Sequence, residues 1–396
     1  MSELAEVIIN ARGARRLRSG HVWVFDSDVR DAGGAEDGAV VRVVHRHRGG
    51  GSNALGVAFY NSASMIRLRL IARRAIEPDR AFWRQRLQAA LALRQLLGRD
   101  GPADTAGRLV YAEADGIPGL IVDHYGEVLV LQTQSAGAER LLDTWLSLLA
   151  ELVAPRAIVE RNDTHSRRLE GLPIRAGVLR GELPEPLQVR DGGLTLAVDP
   201  LQGQKTGAFL DQRENRQRAA VYAGGRCLDV FCYQGGFGLQ LARGGADEVT
   251  LVDQSAPALQ AAAETAAANG LTVHTREANG FDFLREQQAA GERYRVVVLD
   301  PPAFAKNKAA VERAVRGYKE INLRAIKLLE PGGILISSSC SYHMQAEHFE
   351  RLLLDAGRDA GRSLQVLERR SQARDHPERL GFPESRYLKC LVLRAL

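Results

Sequence analysis

Leu228-Asp229-Val230-Phe231-Cys232-Tyr233-Gln234-Gly235-Gly236-Phe237-Gly238 is an apolar run that carries one acid and ends in a glycine-rich turn. The run reads as a buried strand. The glycines let the backbone approach a ligand closely, and a helix over 236–243 would point its amide dipole at that ligand. Further apolar strands are predicted at 249–253, 273–276, 294–300 and 334–340. Helices are predicted at 256–269, 281–290, 311–329 and 345–358, and the tail, 386–396, reads as another strand. This alternation is the pattern of an α/β doubly wound, mostly parallel sheet. Ligands in such sheets bind beyond the carboxyl ends of the strands, so candidate chemistry belongs there.

The second strand ends at Asp253, where a carboxylate can hold both hydroxyls of a ribose. With the Gly235 turn, that geometry serves a dinucleotide or S-adenosylmethionine. The glycine spacing is not G-x-G-x-x-G and nothing suits a pyrophosphate, which argues against NAD. Asp229 suits the cationic methionine part of S-adenosylmethionine. The fourth strand ends in Asp300-Pro301-Pro302-Ala303-Phe304. The prolines rigidly present the acid before them. An amino-methylating site would carry an aromatic at 303, where this chain has Ala.

The fifth strand ends in Ser337-Ser338-Ser339-Cys340-Ser341-Tyr342. Strands four and five are neighbours in the usual order of this fold, so Asp300 and Cys340 are expected to face one cleft. A thiol beside an acid suits methylation of pyrimidine carbon 5. The thiolate adds to carbon 6 and makes carbon 5 nucleophilic, while the acid assists at ring nitrogen 3. The competing reading for Cys340 is a small buried hydrophobe, which is the reading given to Cys227, Cys232 and Cys390. No Cys/His grouping has zinc spacing, so no metal is expected.

Upstream, short β-branched runs between residues 7 and 71 suggest a small β-barrel, interrupted by a basic helix at 11–19. A helix with Pro78 at its start runs to about 98, and a compact α+β segment follows. The boundaries drawn are 1–75, 76–185 and 186–396. The 396 residues carry 53 Lys or Arg and 48 Asp or Glu, a net charge of +5. Residues 1–75 hold 12 Arg against 7 Asp or Glu, so the whole excess of 5 lies there. Arg12, Arg15, Arg16 and Arg18 cluster on one short stretch, which suggests a polyanionic partner such as RNA. At 45% hydrophobic and 26% charged, the composition excludes chain-wide disorder and a fibrous repeat. No apolar run reaches a membrane span of roughly 18 residues. With four cysteines and no export signal, a reducing cytoplasm is expected.

These motifs resemble the RlmI-like family of large-subunit ribosomal RNA cytosine-C5 methyltransferases, over nearly the whole chain. Trp23-Val24-Phe25 after the basic helix looks like the opening of a PUA domain, with Val22 where the family commonly has Pro. Residues 113–123, Glu-Ala-Asp-Gly-Ile-Pro-Gly-Leu-Ile-Val-Asp, look like the central-domain signature. Residues 204–215, Gln-Lys-Thr-Gly-Ala-Phe-Leu-Asp-Gln-Arg-Glu-Asn, are the most specific match. Asp229-Val230-Phe231-Cys232-Tyr233, Asp300-Pro301-Pro302 and Ser339-Cys340-Ser341 follow in order. The resemblance implies a Rossmann-like class I methyltransferase domain behind a PUA β-barrel and a central α+β domain. It also implies S-adenosylmethionine as cofactor, ribosomal RNA as partner and Cys340 as nucleophile. Gln212 and Tyr233 would join Asp229, Gly235 and Asp253 at the cofactor, and Lys205 would face RNA. Asn279 stands where the family usually has an acid at the adenine. Two alternatives remain open: guanine-N7 methylation, which needs no thiol, and a non-catalytic RNA-binding assembly factor.

Overall fold

The structure is a computed structural model that describes residues 4–47, 50–98, 104–304, 311–341 and 344–396; Tyr342 lies outside them. The chain forms two compact units and passes between them repeatedly. One comprises Met1–Arg190, Val198–Leu210 and Arg374–Ser385, and the other Asp191–Ala197, Asp211–Ala373 and Arg386–Leu396. Residues 198–210 and 374–385, which the sequence boundaries assign to the third domain, thus belong to the first unit.

The first unit holds a six-stranded and a five-stranded sheet. The six-stranded order is Trp23–Val24, Leu68–Ala72, Ser52–Tyr60, Val40–Arg46, Glu6–Ile9, Val29–Asp31. The strand Val29–Asp31 is too short and too polar to show in the apolar pattern. The basic helix, Ala11–Arg18, is capped by Asn10, which accepts from the Gly13 amide at 2.9 Å. The helix Arg80–Leu97 is capped by Asp79, which accepts from the Phe82 amide at 2.8 Å, so Pro78 precedes the cap instead of opening the helix.

Residues 1–75 and 76–185 share one apolar core. Phe59 of the barrel stacks on Trp83 at 5.8 Å, and Trp83 meets Trp145 edge-on at 5.1 Å. Gly137 is required beneath Phe59, since a Cβ there would lie 2.0 Å from its ring. A buried ionic network joins the same two stretches. Arg69 donates to Glu113 at 2.7 Å and to Glu170 at 2.9 Å, and the Trp23 indole N–H donates to Glu113 at 2.8 Å. Two family-like motifs also meet here. Asp123 takes a two-point contact from Arg108, at 2.7 and 2.9 Å, and accepts from the Thr206 hydroxyl at 2.7 Å.

The second unit is built on a seven-stranded sheet. Its strands are β1 (Arg226–Val230), β2 (Glu248–Asp253), β3 (His274–Glu277), β4 (Tyr294–Leu299), β5 (Leu329–Ser339), β6 (Leu364–Arg370) and β7 (Lys389–Ala395). Its helices are α1 (Arg213–Ala219), α2 (Gly236–Arg243), α3 (Ala256–Ala268), α4 (Gly280–Ala289), α5 (Val311–Leu328) and α6 (Ala346–Asp359). The strand order is β3-β2-β1-β4-β5-β7-β6, with β1 to β5 parallel and β7 antiparallel to both β5 and β6. Strand β6 has no counterpart in the sequence expectation, because its polar, largely exposed residues, Leu-Gln-Val-Leu-Glu-Arg-Arg, mark an edge strand and not a core one. The parallel strands send β1, β2, β4 and β5 to one edge, where the candidate residues collect.

Burial works to raise the Glu170 pKa, but Arg69, Ser64 and Asn61 hold it below the ordinary carboxylate range. Its contribution to stability is therefore present above the unfolded value and lost as pH falls through the folded one. We expect denaturant-measured stability to decline below about pH 4. Arg69→Met, which strands two buried carboxylates, should cost about 3–5 kcal/mol in urea unfolding; a loss below about 1 kcal/mol would contradict this account.

Candidate active site

After β1 the chain turns sharply. Phe231 and Tyr233 adopt positive φ of 64° and 50°, a costly conformation for non-glycine residues, and Gly235 follows at 75°. Three contacts hold the turn. The Tyr233 amide donates to Asp253 Oδ2 at 2.8 Å, the Cys232 amide to the Val252 carbonyl at 3.1 Å, and the Gly235 amide to the Cys232 carbonyl at 2.8 Å. At Gly238 a Cβ would lie 2.1 Å from Leu251, so helix α2 can sit this close to β2 only with glycine there.

Asp229 is 1% exposed. Its Oδ2 accepts from the Gly238 amide at 2.8 Å, while its Oδ1 is buried with no hydrogen-bond partner. Burial, with the nearby Asp300 charge, pushes the carboxyl up to about 8 against the pull of the Gly238 amide. A buried acid with one orphaned oxygen at a strand end suits a cationic ligand.

Asp253 ends β2 half-buried, and its oxygens take the Tyr233 amide and, at 3.0 Å, the Ser255 amide. The carboxylate therefore shapes the turn. Asn279 is exposed and caps α4, with Oδ1 accepting from the Phe281 amide at 2.9 Å. Gln212 is 3% exposed, and both ends of its amide have protein partners. Nε2 donates to Asp300 Oδ1 at 2.9 Å, and Oε1 accepts from Asn215 Nδ2 at 2.7 Å. Behind it, Arg370 donates to Asn215 Oδ1 at 2.8 Å. Gln212, expected at the cofactor, thus orients the acid at the end of β4. Nothing in its immediate sequence signals that partner, which stands 88 residues away.

Cys340 follows the last residue of β5 and is half-buried, whereas Ser337, Ser338 and Ser339 are fully buried before it. Helix α5 satisfies two of these serines. Ser337 donates to Asn322 at 2.7 Å and Ser339 to the Tyr318 hydroxyl at 3.1 Å. The other cysteines are packing groups: burial pushes Cys227 up to about 11, Cys390 up to about 12 and Cys232 far above the ordinary thiol range. In the D-P-P segment the aromatic one place beyond Ala303 has a structural use. Phe304 packs against Tyr318 at 4.6 Å and Phe281 at 5.7 Å, in a cluster that also includes Phe231.

The expected RNA-facing residues lie in the first unit. Arg12 and Arg16 both pair with the fully buried Asp28, at 2.5 Å each, and Arg16 also covers the Phe25 ring. The one Asp28 carboxylate serves both guanidiniums, so a positive charge of the pair remains, and the Arg12 side chain is still 60% exposed. Arg15 and Arg18 project to solvent from the same helix. Lys205 is exposed at a φ of 55°, with its ammonium 4.5 Å from the Phe209 ring centre. Among the described residues no group of three His, Cys, Asp or Glu side chains is placed to hold a metal ion. None of their helices is long and apolar enough to cross a membrane.

Residues 169–394 match the family of S-adenosylmethionine-dependent methyltransferases, and residues 7–73 match the PUA-like domain. A protein of Shewanella amazonensis named ribosomal RNA large subunit methyltransferase I is 45% identical over 381 residues, 94% of this chain and 95% of its own. One of the same name from Aeromonas hydrophila is 42% identical over 98% of both chains. A solved structure described as a methyltransferase complexed with SAH aligns over 99% of this chain and all of its own, with a TM-score of 0.84 at 20% identity. That likeness is one of fold. On these matches the chain belongs to the family of S-adenosylmethionine-dependent methyltransferases with a PUA-like domain that includes the proteins named ribosomal RNA large subunit methyltransferase I.

Proposed function

We propose that the protein methylates carbon 5 of a cytosine in large-subunit ribosomal RNA through a covalent bond between Cys340 and carbon 6 of the base. The observation that carries this reading is the contrast among the cysteines. Three are buried packing groups, and the fourth, Cys340, is half-exposed at the end of β5, beside the β4 end that presents Asp300. Guanine nitrogen 7 is already nucleophilic and gives such a thiol no work. The relatives' name supports ribosomal RNA as the substrate, and such a substrate supports a cytoplasmic location.

Bound S-adenosylmethionine supplies an electrophilic methyl group. Asp229 would hold its cationic amino group and Asp253 its ribose, with the Gly235 turn, Tyr233 and Asn279 as the remaining candidate contacts. Cys340 thiolate adds to carbon 6, and Asp300, oriented by Gln212, assists at ring nitrogen 3 as electrons move there. Carbon 5 is then nucleophilic and takes the methyl group. A base then removes the carbon-5 proton, the electron pair of that bond restores the carbon 5–carbon 6 double bond, and the carbon–sulfur pair leaves with Cys340 as thiolate. In the N-terminal part, 1–75, Arg15 and Arg18 are the arginines available to phosphates, with Lys205 a further basic contact; Arg12 and Arg16 hold their helix to Asp28.

Three expectations test these assignments. Asp229 with a pKa of about 8 is protonated in the free protein at pH 7, and a cationic ligand favours its ionised form. Cofactor binding should therefore release a proton, and affinity should rise with pH until about 8 and then level off. Calorimetry in buffers of different ionisation enthalpy reads this directly, and binding with no proton release at pH 7 would remove Asp229 from the cofactor.

RNA with 5-fluorocytosine at the target cannot lose fluorine in place of the proton, so the wild type should be trapped as a gel-stable adduct. Cys340→Ser should lose adduct and turnover yet bind S-adenosylmethionine, and Asp300→Asn should lose about 10²–10⁴ in rate. A folded Cys340→Ser protein that methylates at the wild-type rate overturns the cytosine mechanism and favours guanine nitrogen 7.

Arg15→Ala and Arg18→Ala should each flatten the log–log salt dependence of RNA binding by about 0.7 for every phosphate left without its arginine. Arg12→Ala should act mainly on stability. Equal salt slopes in all three variants would refute the division.

A further inference from the structure

The helix Arg80–Leu97 carries four arginines, and three of them meet carboxylates: Arg80 and Arg84 pair with Glu151, and Arg94 pairs with Asp115. The fourth, Arg86, is half-buried against the Phe82 ring, 5.1 Å from its centre, and has no carboxylate within ion-pair distance among the described residues. A Cβ on Gly116 would lie 2.7 Å from Arg86 Nη1, so the guanidinium rests on the turn at 112–116. Arg379 reaches the same turn, where its Nη1 donates to the Glu113 carbonyl at 2.7 Å. The Glu113 carboxylate itself is engaged by Arg69 and the Trp23 indole. Arg73 donates to the Leu17 carbonyl and, at 3.3 Å, to the His21 carbonyl, which sets it against the C-terminal end of the basic helix. Both Arg73 and Arg74 are exposed.

These cations act on one another. Burial lowers the Arg86 pKa, and the Arg74 charge lowers it further. Burial likewise lowers that of Arg379, and the charges of Arg73 and Arg86 add to the fall against the pull of Glu113. Guanidiniums from three stretches of chain, 73–74, 86 and 379, thus gather in one region of the first unit. Their mutual repulsion is relieved when an anion enters, and the planar guanidinium fork matches phosphate oxygens two at a time. We infer that Arg73, Arg74, Arg86 and Arg379 hold phosphates of the RNA backbone. This rests on the reading of RNA as the substrate. Arg73 joins the site to the end of the basic helix that carries Arg18, so the cluster extends the phosphate contacts of that helix. The repeated charge of a backbone also suits several spread, partly exposed cations better than one small phosphate does. Contacts of this kind position RNA without reading its sequence.

The test is RNA binding by the full chain over a salt series, with a large-subunit ribosomal RNA transcript as the probe. Arg74→Gln and Arg86→Gln should each flatten the log–log salt dependence by about 0.7 for every phosphate lost. They should weaken binding to unrelated RNA sequences by the same factor. Arg86→Lys keeps the charge and should restore the slope. Arg84→Gln removes an equal charge from the same helix, but one that Glu151 balances, and should leave the slope at its wild-type value. A wild-type slope in the Arg74→Gln/Arg86→Gln double variant overturns the inference and leaves the substrate reading intact. A slope flattened equally in Arg84→Gln overturns it too, since charge anywhere on the helix would then suffice. A wild type that binds no ribosomal RNA overturns it together with the substrate reading. Slopes that shift as expected, in a protein that forms no adduct on 5-fluorocytosine RNA, support this site while sinking the cytosine mechanism.

Discussion

A carboxylate buried at the end of a parallel strand is the constraint around which the turn after β1 is built. Asp229 is removed from water with one oxygen tied to the Gly238 amide and the other left unsatisfied. Such a group is costly in the free protein, and the cost is relieved by a proton or by a cation. The bond to Gly238 also fixes where α2 begins relative to β1. That register is possible only because Gly238 lets the helix approach Leu251. The strained turn at Phe231 and Tyr233 is the backbone consequence, and Asp253 stabilises it from the neighbouring strand.

The reactive side of the same edge is ordered by side chains that do not themselves react. Gln212 fixes the orientation of Asp300, and Asn215 and Arg370 fix Gln212. The serines before Cys340 are buried against Tyr318 and Asn322 of α5, so the strand end that carries the thiol is held without being covered. The covalent addition proposed for Cys340 and Asp300 would need such support, because both groups must stay within about half an ångström of productive geometry.

In the first unit, aromatic packing and buried ion pairs replace a linker. Phe59, Trp83 and Trp145 form one core across residues 1–75 and 76–185, and Arg69 reaches carboxylates in the second of these stretches. The contact between Asp123 and Thr206 ties the central signature to the Gln-Lys-Thr-Gly segment. Residues 204–207 are therefore anchored within this unit, although in sequence they read as the opening of the methyltransferase domain.

The alternation of apolar strands with helices, the acids at the ends of β1, β2 and β4, and the thiol after β5 were all legible in the sequence. Each is a local pattern: hydrophobic periodicity places the strand, and the residue after its last apolar position falls at the ligand-binding edge. Strand β6 escaped because an exposed edge strand lacks that pattern. Tertiary structure alone decided the rest. Arg12 and Arg16 look like Arg15 and Arg18 until the chain folds Asp28 beneath them. Gln212 meets Asp300, and Lys389 meets the Ser341 carbonyl, only once segments distant in sequence become neighbours. A residue's type and local period determine what element it joins. Which charge or proton it faces depends on long-range contacts that no local pattern encodes.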